Sequence, residues 1–278
     1  MKDYLKTNWR RVLLLMILIA ILLYSAVSLV QYAVSSILAR QTNKELQSIF
    51  RAAEETPFPE NPSIQSTSAP TRTPEPKLLD CYQYIGDTIL PQAEEMLAIN
   101  PDTVAWLQIP GGIVDLPVVY RDNIYYLNHD FYGKKSKSGT LFLDENHPLL
   151  CDTQYLVIHG HNWYDGSMFG RLSNYRRQGY MQQHPTVYLS TLYRQEEYEV
   201  IGVLCVPEDV KSEGYVPYIG MRKFQSLEQF YDFAALIREN ALHWKEGAEM
   251  LPSDAFLALS TCYEDDRIVV ICKRTAPR

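Results

Sequence analysis

Apolar positions along the chain fall into three regimes. Residues 12–30 read VLLLMILIAILLYSAVSLV, nineteen in a row with no charge, glycine or proline. At about 1.5 Å rise per residue such a helix reaches roughly 30 Å, the thickness of a bilayer's hydrocarbon core. A buried core helix normally keeps a polar face over this length, and a cleaved leader has a shorter apolar run, about 7–15 residues, ending in a small-x-small site. Here the run passes into Gln31-Tyr32-Ala33 with no sharp site, so a retained membrane-spanning helix is expected. Beyond it, Leu46, Ile49, Phe50 and Ala53 are spaced as in a short amphipathic helix over 41–55.

The second regime has no apolar period. Residues 56–76 hold six of the sixteen prolines, several Ser and Thr, and no Gly, the composition of a semi-rigid extended spacer. The third begins with a predicted helix over 85–99 and turns to short runs rich in β-branched and aromatic residues, bounded by turn residues. These are 104–109, 114–120, 140–143, 154–158, 186–192, 198–206, 256–260 and 268–272. Such a set predicts a barrel or sandwich rather than a doubly wound sheet. One helix interrupts it, opened by the capping box of Ser226 and Gln229 and striped by Phe230, Phe233, Ala234, Ile237 and Ala241, a stripe read as core packing. The expected division is 1–11 a basic cytoplasmic tail, 12–31 the membrane anchor, 32–76 an extracellular Pro-rich tether and 77–278 the folded domain.

Charge sharpens the topology. The formal net charge is −7, yet residues 1–40 carry Lys2, Lys6, Arg10, Arg11 and Arg40 against Asp3, or +4, so the remainder carries −11. The positive-inside rule keeps the N-terminal end cytoplasmic and puts the domain outside the cell. An acidic body without a Lys/Arg stripe is a poor match for nucleic acid, and no nucleic-acid partner is expected. Five cysteines (Cys81, Cys151, Cys205, Cys262 and Cys272), odd in number and without a CxxC, suggest neither a zinc site nor a dense disulfide framework. At least one thiol is left over within the chain.

Two clusters carry candidate chemistry. In Tyr155-Leu-Val-Ile-His159-Gly160-His161-Asn162, an apolar strand ends in HGHN, and alternation sets both histidines on one face. An HxH pair can ligate a metal, but no third ligand lies nearby in sequence, and a lone strand-end His is ordinarily a hydrogen-bonded surface residue. In Ala258-Leu-Ser260-Thr261-Cys262, a strand ends in a thiol, and Arg267 opens the next strand after Tyr-Glu-Asp-Asp. A Cys beside a cation suits a nucleophile, although most cysteines are buried and inert.

Taken together, strand-His, strand-Thr-Cys and Arg resemble the sortases, the cysteine transpeptidases of Gram-positive cell surfaces, whose TLxTC motif reads ALSTC here. Residues 100–110 (NPDTVAWLQIP), Leu116-Pro-Val-Val, 122–130 (DNIYYLNHD), 139–144 (GTLFLD), Gly160-His-Asn and Ser167-Met-Phe-Gly170 are similar to class B members over about 85–274. The long helix before the Cys strand is also a class B feature. The resemblance implies an eight-stranded sortase-type β-barrel, mainly β, with an N-terminal helix and that long helix. It implies His161, at the GHN position, Cys262 and Arg267 as catalytic residues, and Ser260, Thr261 and Asn162 as substrate-binding ones. His159 stands where class B members often have Tyr, and Asp130 is read as structural. The implied chemistry is cleavage of a C-terminal sorting signal of LPxTG or NPxT type on a secreted protein through a thioacyl intermediate. A peptidoglycan precursor or another amine is the implied acceptor; no cofactor or metal is expected.

The sequence departs from the family pattern at Ala258, which replaces Thr, and in the short 262–267 loop. A cell-wall cysteine peptidase would suit the location, but its Cys usually precedes its His. A noncatalytic tethered binding module would have no use for His, Cys and Arg together. A pilus-polymerising member of the family commonly has a second span near the C-terminus, which this sequence lacks.

Overall fold

A computed structural model of the chain describes residues 2–54, 89–147, 154–219 and 224–277. The 56–76 spacer, Cys81 and Cys151 lie outside the described residues.

The apolar run and the amphipathic segment form one uninterrupted helix, α1 (Lys2–Glu54). Over 12–30 its side chains are almost all exposed, Leu22 by 68 % and Leu29 by 69 %, so among the described residues nothing covers its apolar surface there. Further along, α1 packs onto the folded domain. Leu46 and Phe50 are buried against Trp106, Val119, Phe131 and Phe142, and Phe50 stacks on Trp106 at 4.3 Å between centroids. Burying each of these side chains is worth about 1.5–3 kcal/mol. Residues 32–54, expected to begin the tether, are thus helical and docked.

The second helix, α2 (Pro91–Ile99), starts later than expected, with proline at its first position where the missing N–H costs nothing. The strands follow: β1 (Thr103–Ile109), β2 (Val114–Val119), β3 (Leu141–Leu143), β4 (Tyr155–His159), β5 (Thr186–Thr191) and β6 (Gln195–Pro207), then β7 (Ala241–Trp244), β8 (Phe256–Tyr263) and β9 (Asp266–Pro277). Between β5 and the short helix α3 (Tyr180–Gln183) that precedes it the chain makes a tight turn, and α4 (Leu227–Glu239) lies between β6 and β7. Eight strands run in the order β5-β1-β2-β3-β4-β8-β9-β6, and a β5–β6 pairing closes them into a barrel, with β7 added on β6. The pairs β2–β3 and β4–β8 are parallel.

Period-two alternation sorts each central strand between two cores. In β8, Leu257 and Leu259 point into the barrel, whereas Phe256 and Ala258 point outward under α4, where Phe230, Phe233 and Ile237 cover them. Ala258, the departure from the family pentapeptide, is fully buried in this outer layer, where a small side chain packs under the helix. The Ser226 hydroxyl accepts from the Gln229 N–H and starts α4 as the capping box requires. The helix ends at Glu239, so Ala241 belongs to β7 and not to its stripe; Asn240 caps the last turn and Ala241 pairs with Leu204 of β6.

Candidate active site

The site is assembled where β4, β8 and β9 end side by side. Parallel pairing matches Tyr155 with Phe256 and runs on to His159 with Ser260. Beyond the paired residues, the Gly160 N–H and the Asn162 side chain reach the Ser260 and Cys262 carbonyls and hold the segment with His161 beside β8. Antiparallel pairing sets Cys262 opposite Arg267. Cross-strand partners share a face and neighbouring strands lie about 4.8 Å apart. Cys262 and Arg267 therefore share a row on the outward face, and the loop with His161 is tied alongside it at the end of β4. The short 262–267 loop fixes this row: Tyr263 pairs with Asp266, only Glu264 and Asp265 turn the chain, and Glu264 takes the left-handed conformation at φ 53.

Cross-links between β4 and β8 lock the row. The Thr261 hydroxyl donates to the Gly160 carbonyl at 2.7 Å, the Gly160 N–H to the Ser260 carbonyl at 3.2 Å, and Asn162 Nδ2 to the Cys262 carbonyl at 2.7 Å. Thr261 is fully buried on the barrel side, so it braces the strand end and leaves no surface for a ligand. Ser260 is also buried, its hydroxyl 2.8 Å from that of Tyr218. Cys262 is exposed.

His161 is held by a contact absent from the sequence argument. Its Nε2 lies 2.8 Å from the Leu127 carbonyl oxygen. A carbonyl only accepts, so Nε2 carries a proton, and in the neutral ring Nδ1 holds the lone pair available for proton transfer. Gly139 fits against this arrangement with φ +64. A Cβ there would sit 2.7 Å from the Tyr126 oxygen, 3.0 Å from His161 Cδ2 and 3.1 Å from the Leu127 oxygen. Gly139→Ala is expected to lower kcat well beyond its cost in stability, because it displaces both the ring and the oxygen that orients it. Gly247→Ala serves as control: its φ is +72 and nothing lies within 4 Å of the added carbon, so it tests backbone strain alone. Equal turnover in the two variants would exclude positioning by Gly139.

His159 has a different setting. It is buried, and its Nε2 is 3.0 Å from Oδ2 of Asp144, which is 1 % exposed. Burial opposes ionisation of Asp144, but hydrogen bonds from His159 and Asn146 outweigh it and hold the carboxyl well below the usual range. A carboxyl depressed in the folded state contributes stability above its unfolded pKa, about 3.9, and that contribution is lost as pH falls toward the folded value. Urea midpoints measured from pH 6 to pH 2 should therefore fall below about pH 4, and Asp144→Asn should flatten that fall while lowering the plateau.

Arg267 is paired with Glu208, the residue that follows β6, and lies opposite Val206 in the sheet. Burial works against the charge of Arg267, but the Glu208 hydrogen bond and the fields of Cys262 and Tyr218 raise its pKa, so it remains a fixed cation. Burial pushes the Tyr218 hydroxyl up despite its bond to Ser260 and the nearby Arg267. Glu208, Tyr218, Leu127 and Gly139 all escaped sequence reasoning. Gly139 lay inside a quoted motif, but its pressure on His161 crosses twenty-two positions of chain. Asp130 accepts the Lys134 N–H in its own turn, as expected of a structural residue. Among the described residues no group of His, Cys, Asp and Glu is arranged to hold a metal.

Comparison with known proteins agrees with this architecture. The sortase-domain family profile matches residues 107–275. Sortase B of Listeria monocytogenes is 26 % identical over 192 residues, covering 67 % of this chain and 75 % of that protein. The X-ray structure of Clostridium perfringens sortase B is similar with a TM-score of 0.59 and 28 % identity, over 66 % of this chain and 99 % of that one. Sortase B from Bacillus anthracis in complex with AAEK1 shares the fold, with a TM-score of 0.67 at 22 % identity over 87 % and 98 % of the two chains. With that profile spanning both the His161 and the Cys262 strands, and with class B relatives in sequence and in fold, the chain belongs to the sortase family of cysteine transpeptidases, in its class B group.

Proposed function

We propose that this sortase is anchored by residues 12–30, with its basic N-terminal tail in the cytoplasm and its barrel outside. There it cleaves a C-terminal sorting signal on secreted proteins and joins them to a cell-wall amine. Nδ1 of His161 takes the proton of the Cys262 thiol, the thiolate attacks the scissile carbonyl and forms a C–S bond, and the C–N bond breaks as Nδ1 passes that proton to the departing amine. An incoming amine of a peptidoglycan precursor then attacks the thioester, loses its proton to His161 and displaces Cys262. Arg267 donates to the carbonyl oxygen where negative charge develops, a role for which its planar fork of donors and permanent charge suit it. Ser260 and Asn162 fix the strand ends around Cys262, and Thr261 acts from within the barrel.

The observation that carries this reading is the outward pair of Cys262 and Arg267 with the His161 loop tied to the Cys262 carbonyl through Asn162, and Cys262 is the most accessible thiol among the described residues. Cys205 is half-buried, and burial followed by the charge of Asp266 pushes its thiol up; Cys272 is buried and pushed up by burial alone. The test treats the full chain in detergent with a substoichiometric thiol reagent and maps the label by mass spectrometry. Label should concentrate on Cys262, with activity lost in proportion, and a sorting-signal peptide should leave a thioacyl adduct there. An unlabelled Cys262, with other thiols modified and no adduct formed, would favour a noncatalytic tethered module.

A further inference from the structure

The loop that carries His161 lies at the level where α1 leaves its apolar run. The helix has no charged residue from Val12 to Ala39, and its free face stays apolar through Val34, Ile37 and Leu38, which are 49 %, 56 % and 57 % exposed. Along this same stretch the opposite face touches the domain. Tyr32 packs on Trp163 with ring centroids 5.8 Å apart, Ser36 donates to Asp165, and Arg40, the first charge, pairs with Asp165 at 3.3 Å. Trp163 in turn lies 5.8 Å from the ring of His161. Next to it Tyr164 is fully exposed, at 104 %.

A cavity of about 370 Å³ opens beside this stretch, lined by Gln31, Ser35 and Leu38 of α1 and by Lys134, Lys135 and Lys137 of the loop before β3. All three lysines are exposed. Tryptophan and tyrosine gather at membrane–water interfaces, and lysines beside a span are drawn to anionic headgroups. A domain held on a flexible tether could carry such residues at any height. Here the helix is continuous from the apolar run into its docked segment, which fixes the height.

We propose that loop 161–167 is seated in the headgroup layer of the membrane α1 enters, with Tyr164 in the lipid interface and Lys134, Lys135 and Lys137 on anionic phospholipid headgroups. The inference rests on the reading of α1 as the membrane span. It makes the bilayer surface a wall of the site, so that substrates meet Cys262 while still close to the membrane. The Pro-rich stretch, coming after the docked helix in the chain, then sets no distance between membrane and barrel.

The test uses the full chain in vesicles of phosphatidylcholine and phosphatidylglycerol carrying bromine high on the acyl chains, which quenches nearby tryptophan. Tyr164→Trp adds a reporter on a fully exposed side chain, and Trp9→Phe isolates the signal of Trp9 at the other end of the span. The Tyr164→Trp component should be quenched by bromolipid to within about twofold of Trp9 and be shielded from aqueous iodide. Replacing phosphatidylglycerol by phosphatidylcholine should weaken that quenching in the Tyr164→Trp protein but not once Lys134→Gln, Lys135→Gln and Lys137→Gln are added together. A Tyr164→Trp signal quenched by iodide and untouched by bromolipid, with Trp9 still quenched, would overturn the proposal and leave the span standing. If Trp9 also escapes, the span reading fails and the proposal with it, whereas the thioacyl assay at Cys262 is unaffected by either result. An unchanged lipid response in the triple variant would refute the lysine contacts.

Discussion

Cys262→Ala is expected to abolish cleavage of a sorting-signal peptide, with no thioacyl adduct and no loss of folded protein. The substitution removes the nucleophile and little else. The thiol is exposed, so its loss opens no cavity, and Asn162 bonds the backbone carbonyl of residue 262, which alanine keeps. The measurement pairs product quantification by mass spectrometry with a thermal unfolding curve. Turnover within about tenfold of the parent would contradict covalent catalysis by this residue. Cys205→Ala, in a half-buried site away from the row, should retain activity and supplies the comparison.

His161→Ala should lower turnover by about 10²–10⁴-fold, the range for a lost general acid–base group, with an unfolding curve close to that of the parent. His159→Ala should show the reverse balance. It removes one hydrogen bond from buried Asp144, which keeps those from Asn123 and Asn146, and losing a bond to a buried charged group costs about 1.5–3 kcal/mol, read as a lower urea midpoint. His159→Tyr keeps a donor within the site and should leave most activity. Steady-state kinetics alongside urea denaturation separate the cases. A stable His159→Ala protein with crippled turnover would transfer the catalytic role to His159.

The sequence made the site's row legible because three strands end at the right place and alternation carries chemistry through them. His161, Cys262 and Arg267 could be nominated from strand-end positions and the family pentapeptide, and the outward face of Ser260 follows from its two-residue spacing to Cys262. Elements that depend on tertiary contact were hidden. The carbonyl that sets the His161 tautomer comes from the Tyr125–Leu127 turn, a contact no local pattern encodes. Glu208 meets Arg267 only because β6 pairs with β9. The end of α4 is hidden in the sequence because Ala241 fits a helical stripe as well as a strand, and only pairing with β6 decides between them. The docking of α1 was foreshadowed by the spacing of Leu46 and Phe50, but composition after residue 55 drew attention to a spacer instead.

The parallel pairing of β4 with β8 has a kinetic consequence. His159 and Ser260 are register partners 101 positions apart, and the hydrogen bonds that align His161 with Cys262 form only once that loop has closed. Contacts of such long range form slowly, because chain entropy is lost before any contact compensates it. The β8–β9 hairpin, by contrast, is local and carries Cys262 and Arg267 together from the start. Local pairing would thus bring thiol and guanidinium together, whereas the His161 loop joins them only when the barrel closes.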